Sequence, residues 1–403
     1  MKRTCCLCGS ACETLRQARW NLPHLDSQMV GFGLCNACGL VQQTSSVTPE
    51  DMTRYYRESA VYTNPGRAGR PSAGKVRGVR QALSMVEECV GRPASSVFQV
   101  GCSDGYTLSC FQEAGASSVG GVDPSAASCE HARASYGIET IVGTAEEIEF
   151  PRGVEMWILT HVLEHLYDPL GVMRRIRAAQ EPSDWVLVEV PLFEQVHRFP
   201  PSYLTFEHLS YFGEASLLEL LGRAGYVAEQ VQKCFSEDLY PIIRVLARAS
   251  DGASAAVGRG KHDIPGSRAG LLAHLEHERS SWSGVEGVVK AALEPGARAW
   301  LWGAGIHSSQ MLAYTELDSH LDIQGLLDSS PIRHGQKFGA YGIHNPMSTD
   351  LRDGAAIVIS SHAAETEIWN ALAAERAAGV QVVRLYAGAD QVLAESCAAL
   401  EMA

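Results

Sequence analysis

Two matched cysteine pairs, Cys5-x-x-Cys8 and Cys35-x-x-Cys38, carry the most specific chemistry in the chain. Each pair runs into a glycine (Gly9, Gly39), and two such turns bring four thiolates within tetrahedral reach of one Zn²⁺. Four thiolates leave no open position for a reacting water, so the expected role is structural. Cys6 and Cys12 are spare thiols, and whether either replaces one of the four stays open from sequence.

A second group is the run Val97-Phe98-Gln99-Val100-Gly101-Cys102-Ser103-Asp104-Gly105, followed by Val122-Asp123-Pro124. An apolar strand entering a glycine turn and a helix, with an acid ending the next strand, is how an α/β sheet holds a ribose. Glycine lets the backbone approach a ligand, and Asp123 would accept from the ribose hydroxyls. The same glycine spacing also occurs in ordinary tight turns.

The third group is Glu207-His208, set among Tyr203, Phe206, Tyr211 and Phe212 after an extended Pro200-Pro201. Histidine has the pKa for base work near neutrality, and a flanking carboxylate can orient it or stabilise its charge. Such a pair in a loop is as readily structural. His161 and His165 bracket the turn after an earlier strand; His161 is expected against the cofactor and His165 toward the acceptor, with a capped helix start as the alternative. Arg54-Tyr55-Tyr56-Arg57 and Tyr62 to Arg67 read either as a lid carrying Tyr56 to the acceptor or as a solvated linker.

The elements that must position these groups are legible in the apolar runs. Strands are expected at Val97–Val100, before Asp123, before Gly143-Thr144-Ala145-Glu146, at Met156–Thr160 and at Trp185–Pro191, each followed by polar residues where a doubly wound sheet opens its crevice. Ser72 is the expected N-cap of a helix carrying Val76, Val79, Leu83 and Val86 at helical spacing. After an Ala/Gly/Ser-rich stretch, a smaller strand, glycine turn and helix start recurs at Trp300 to Ser309, with further strands ending at Asp328 and Ser360. The helix start near Ser308 could hold a phosphate, or the domain could serve packing alone.

This succession resembles the class I S-adenosylmethionine-dependent methyltransferases over residues 86 to 250. The resemblance implies that Gln99, Gly101, Ser103, Asp104 and Gly105 take the methionine end of the cofactor, Asp123 the ribose, and Ala145, Glu146 and His161 the rest of its site. A dinucleotide dehydrogenase is the rival, but the compact G-x-G-x-x-G is missing. With the cysteine module ending Cys38-Gly39-Leu40-Val41-Gln42 and the Glu207-His208-x-x-Tyr211-Phe212 run, the chain resembles more narrowly the zinc-containing nucleotide-sugar C-methyltransferases. That implies a nucleotide-linked keto-deoxysugar acceptor, His208 as the enolising base beside Glu207, and His165 near the keto sugar. Thr205 stands where that family usually has tyrosine, and Gln99 where an acid often binds the amino end of the cofactor.

The expected fold is therefore α/β: a zinc module at 1–48, a helical linker or lid at 49–85, a seven-stranded Rossmann-like core at 86–250, a linker at 251–270, and a smaller Rossmann-like domain at 271–403. The chain of 403 residues is too long for one core. A net charge of −13 disfavours a polyanionic partner such as nucleic acid, against an RNA base methyltransferase. No run of eighteen apolar residues occurs, and a cytoplasmic monomer or homodimer acting on a small molecule is expected. O- or N-methylation of another metabolite, or a scaffold that only retains the cofactor, are the other readings.

Overall fold

In the computed structural model, residues 3–22, 25–45, 47–58, 71–194, 201–235, 240–250, 263–362 and 364–386 are described. Strands β1 (Cys12–Leu22), β2 (Leu25–Cys35) and β3 (Val41–Gln43) follow the first cysteine turn and flank the second. Helices α1 (Pro49–Glu58) and α2 (Ala73–Val90) come next. Ser72 caps α2 as expected, its hydroxyl accepting from the Lys75 amide at 3.0 Å. Ala82, Met85 and Val86 of α2 are buried with Val97, Leu108 and Met156, so this helix packs into the core.

The core sheet is built on β4 (Ser96–Val100), β5 (Ser118–Asp123), β6 (Thr140–Val142), β7 (Met156–Thr160) and β8 (Trp185–Pro191), which pair in parallel. Their interiors are apolar on both faces because helices α3 (Tyr106–Glu113), α4 (Ala126–Tyr136) and α5 (Pro169–Ala179) connect them. After a short strand β9 (Ser210–Tyr211) and helix α6 (Glu214–Arg223), the antiparallel pair β10 (Tyr226–Phe235) and β11 (Pro241–Ala249) completes the sheet. The order β10-β11-β8-β7-β4-β5-β6 puts β4 and β7 at the centre, so the loops after β4, β5 and β7 open on one edge.

β9 belongs to a different sheet. It pairs antiparallel with β3, Val41 opposite Tyr211 and Gln42 opposite Ser210, in the four-stranded order β1-β2-β3-β9. The cysteine module is thus one sheet with the segment that follows β8, and it is not a separate body. Residues 1–17 and 30–275 form one compact unit, while 18–29, at the tip of the β1–β2 hairpin, group with 276–403.

Helix α7 (Ile264–Ala292) starts inside the stretch expected to be linker. Asp263 caps it, its carboxylate accepting from the Gly266 amide at 2.9 Å, and Pro265 in the first turn needs no partner for its nitrogen. Residues 251–262 of that expected linker, and 59–70 of the expected lid, lie outside the described residues, as does Pro200.

The second unit carries strands β12 (Arg298–Trp302), β13 (Asp322–Leu327), β14 (Lys337–Phe338), β15 (Tyr341–His344), β16 (Ala356–Ile359) and β17 (Val382–Arg384) in the order β14-β15-β13-β12-β16-β17. All pair in parallel except β14, and Leu301, Leu326 and Val358 are buried in its core. These strands form a six-stranded sheet with one antiparallel edge. Among the described residues no helix is long and apolar enough to cross a membrane.

Candidate active site

The loop after β4 is held by backbone geometry that only certain residues tolerate. Gly101 has φ +68°, and a Cβ there would lie 2.5 Å from Cγ2 of Val162. Its amide and that of Cys102 donate to the Val122 carbonyl at 2.8 and 3.1 Å, tying the loop to β5. Asp123 closes the arrangement: one carboxylate oxygen accepts from the Ser103 amide at 2.8 Å and the other from the Ser125 amide at 2.9 Å. Burial raises its pKa, opposed by those two amides. Each oxygen keeps a lone pair.

Asp104 does not face outward from this loop as a free acid. Its Oδ1 accepts from Lys75 Nζ at 2.8 Å and from the Tyr106 amide at 3.1 Å, which pins α2 to the start of α3. Gln99 is different. Its side chain is buried and its Oε1 has no hydrogen-bond partner among the described residues, an acceptor left unsatisfied beside the glycine turn. That orphan fits the cationic amino end of S-adenosylmethionine, and the lone pairs of Asp123 fit a ribose. Ala145 is buried at the third strand end, while Glu146 is exposed and accepts from the Tyr167 amide at 3.3 Å.

Around the ends of β7 and β8 lies a second cluster. His161, at φ +54°, places Nε2 3.1 Å from Glu189 Oε1 and Nδ1 3.4 Å from Glu164 Oε1. Burial opposes its charge, but Tyr240 and the two carboxylates outweigh that and raise its pKa well above the usual value. Glu189 also binds the fully buried Arg244, whose Nε lies 2.7 Å from Oε2. His161 is therefore committed to a buried ionic network; its expected contact with the cofactor is left to its backbone.

Glu164 lies between the two histidines noted in the sequence and was not singled out there. It is 2% exposed, and neither carboxylate oxygen has a hydrogen-bond partner among the described residues. Burial works against its ionisation, yet His161, His165 and His208 around it hold the carboxyl below its usual range. The ring of His208 stands 4.7 Å from that of His165, edge to face. Burial first, then the charge of His165, push His208 down to about 3, so its imidazole is neutral near pH 7. Tyr56 reaches the same cluster, its hydroxyl 3.0 Å from His165 Nδ1, and burial keeps that hydroxyl protonated.

Glu207 lies beside α1. Its Oε1 accepts from the Tyr55 hydroxyl at 2.6 Å, and the carboxylate that faces His208 is Glu164. The Glu207-His208 loop is positioned by the cysteine module. Gln43, fully buried on β3, donates through Nε2 to the carbonyls of Phe206 (2.7 Å), Thr205 (3.0 Å) and His208 (3.1 Å). Arg3 donates to the Leu209 carbonyl at 2.7 Å and to that of Tyr167 at 2.7 Å.

The module itself gathers Cys5, Cys8, Cys35 and Cys38 with all four Sγ within 4.8 Å of one another. Cys5 and Cys38 are 3.5 Å apart, Cys8 and Cys35 3.4 Å, and both turns close alike, Gly9 N to Cys5 O and Gly39 N to Cys35 O at 2.8 Å. This arrangement is compatible with a tetrahedral ion. Cys6 instead contacts Ser210 Oγ at 3.3 Å, so it is not part of the group. In the second unit, the Ser308 hydroxyl is spent on the Gly303 carbonyl and on Ser360 Oγ, which leaves the expected phosphate cradle without that donor.

Comparison with known proteins gives a family match to a methyltransferase domain over residues 75–231. Similar solved structures include an S-adenosylmethionine-dependent methyltransferase from Mesorhizobium loti, 17% identical, covering 44% of this chain and 98% of that one at a TM-score of 0.36. The 1,6-didemethyltoxoflavin-N1-methyltransferase of Burkholderia thailandensis is 18% identical, covering 57% of this chain and 100% of that one at 0.42. The mitomycin 7-O-methyltransferase is 18% identical, covering 44% and 56% at 0.34. No curated protein matches the chain. The domain match, taken with the sheet order and the glycine loop bound to Asp123, places residues 75–231 among the class I S-adenosylmethionine-dependent methyltransferases.

Proposed function

We propose that the protein methylates a small-molecule biosynthetic intermediate at a carbon made acidic by a neighbouring carbonyl, with a nucleotide-linked keto-deoxysugar as the acceptor. The observation that carries this reading is the grouping of the His208 imidazole with His165 and the buried carboxylate of Glu164, one nitrogen or carboxylate oxygen of each lying within 4.8 Å of the others. S-Adenosylmethionine supplies an electrophilic methyl group on a sulfonium. Gln99 Oε1 and Asp123 are the residues proposed to hold its amino end and ribose.

His208 takes the proton from the acceptor carbon, and Glu164 stabilises the imidazolium that results. Tyr56, its hydroxyl protonated, fixes the ring of His165 beside the acceptor. Glu207 and Tyr55 hold the segment that carries His208, and desolvation of the site strengthens each charge interaction. Base action of this kind contributes about 10² to 10⁴-fold.

Zn²⁺ is the ion proposed for Cys5, Cys8, Cys35 and Cys38. Sulfur separations of 3.4 and 3.5 Å are close to the ~3.8 Å edge of a tetrahedron with Zn–S near 2.3 Å. Its proposed work is to brace the sheet that presents Gln43.

The function is tested by incubating the purified protein with S-adenosylmethionine and a thymidine-diphosphate 4-keto-6-deoxysugar and following the acceptor by mass spectrometry. A product heavier by one methylene, with the methyl on carbon, is expected. Turnover of the cofactor onto oxygen or nitrogen of other acceptors only would contradict the sugar reading.

A further inference from the structure

We propose that Glu164, His165 and His208 also form a binding site for a divalent transition-metal cation, separate from the four-cysteine group. One ligand atom from each of the three lies within 4.8 Å of the others. Two imidazoles and one carboxylate are a donor set that suits Zn²⁺, Mn²⁺, Fe²⁺ or Co²⁺ and leaves coordination positions open.

Three features separate this group from an ordinary buried ion pair. Glu164 is 2% exposed; its Oε1 lies at ion-pair distance from His161 Nδ1 (3.4 Å) without hydrogen-bond geometry, and its Oε2 has no hydrogen-bond partner among the described residues. A buried carboxylate of that kind is costly unless a cation or strong donor meets it. His208 is likewise under-satisfied, with a buried Nδ1 that has no partner among the described residues. His165 has its Nδ1 occupied by the Tyr56 hydroxyl at 3.0 Å, which leaves Nε2, 4.0 Å from Glu164 Oε1, to face the cluster. Ligating histidines are commonly oriented through their other ring nitrogen in this way, and Tyr56 stands in that position.

The distances are longer than the roughly 3 Å between neighbouring ligand atoms around an ion bonded at about 2.1 Å. Closing them needs side-chain movement of the two rings, whose centroids stand 4.7 Å apart. A cation commits the His208 lone pair, so cation binding and proton removal by His208 exclude each other in one site. The inference goes beyond the methyl-transfer reading and does not depend on the acceptor.

The test uses the full chain with its four-cysteine group loaded with zinc, titrated with MnCl₂ while free Mn²⁺ is read by electron paramagnetic resonance. One equivalent of Mn²⁺ taken up per chain is expected, with affinity reduced at least tenfold in Glu164→Gln and in His208→Ala. Thermal melting of each variant shows that it is folded, and His208→Ala, at a half-buried position, keeps the test open where Glu164→Gln does not fold. Absence of uptake at millimolar Mn²⁺, or uptake unchanged in a folded variant, would overturn the site. Failure of the keto-sugar assay leaves this readout untouched, and failure of Mn²⁺ uptake leaves the base role of His208 standing.

Discussion

The side-chain amide of Gln43, on the last strand of the cysteine module, donates to the backbone carbonyl of His208 at 3.1 Å. Two further carbonyls of the same loop share that amide, and Ser45 Oγ donates to its oxygen at 2.8 Å, so one buried side chain fixes the segment that carries the proposed base. Gln43→Ala leaves these carbonyls unpaired in a dry site, at about 1 to 3 kcal/mol. Methyl transfer is expected to fall about tenfold or more with cofactor affinity unchanged, a split that turnover measurements and calorimetric titration of S-adenosylmethionine separate.

The same linkage makes the cysteine group matter for activity without touching the acceptor. Removal of the proposed ion by a chelator, or Cys35→Ser, is expected to lower the melting temperature and to abolish transfer, because metal binding is folding free energy in such modules. Metal content per chain and a melting curve before and after chelation check this. An unchanged melting temperature in metal-free protein would show that the module stands without its ion.

Arg244 and Glu189 form a pair buried beneath the site, with Arg244 Nη1 also 2.9 Å from Gln232 Oε1. Arg244→Ala removes one partner and leaves the Glu189 carboxylate in a dry sheet, where loss of a buried partner costs about 3 to 5 kcal/mol. Chemical denaturation of the variant is expected to show a midpoint shift of that size.

Asp123→Ala takes away both loop amide bonds and the acceptors proposed for the ribose. Cofactor affinity is expected to drop more than tenfold. Gly101→Ala is expected to lower stability by about 1 to 3 kcal/mol, since φ +68° is strained for any other residue and the new methyl meets Val162. Titration calorimetry and melting curves read the two effects separately.

In the second unit, burial and then His362 push His307 down to about 4 from an ordinary 6.5. Its Nε2 is 2.6 Å from the Tyr386 hydroxyl and its Nδ1 3.0 Å from Ser360 Oγ, partners that suit the neutral ring. The unfolded chain takes up a proton below about pH 6.5 that the folded one refuses until about pH 4. The stability contribution of this group is therefore complete above 6.5 and is lost as pH falls toward 4. Melting temperatures measured across that window should fall in the wild type and fall less in His307→Gln.

The strands of the core were legible because each is a short apolar run, three of them closed by Gly101, Asp123 or Gly143, and the loop, Asp123 and the four cysteines sit in local sequence. The pairing of β3 with β9 was not, since Gln42 and Ser210 are 168 positions apart and two-residue strands have no periodicity to read. Glu164 escaped notice because an acid between two histidines reads as solvated, whereas the turn over Leu163–His165 aims it inward and the Leu209 amide caps its carbonyl at 2.7 Å. The start of α7 did leave a signal, Asp263 two positions ahead of Pro265, but the Ala, Gly and Ser before it hid the cap. Adjacency in sequence did not reveal that Glu207 accepts from the Tyr55 hydroxyl, 152 positions away.

The most direct test of the proposed chemistry is hydrogen exchange at the acceptor carbon, read by mass spectrometry, with the keto-deoxysugar nucleotide in deuterated buffer and S-adenosylhomocysteine in place of the methyl donor. The wild type is expected to incorporate deuterium next to the carbonyl, and His208→Ala to do so about 10² to 10⁴-fold more slowly. Exchange in His208→Ala within a few-fold of wild type would contradict the assignment of His208 as the base.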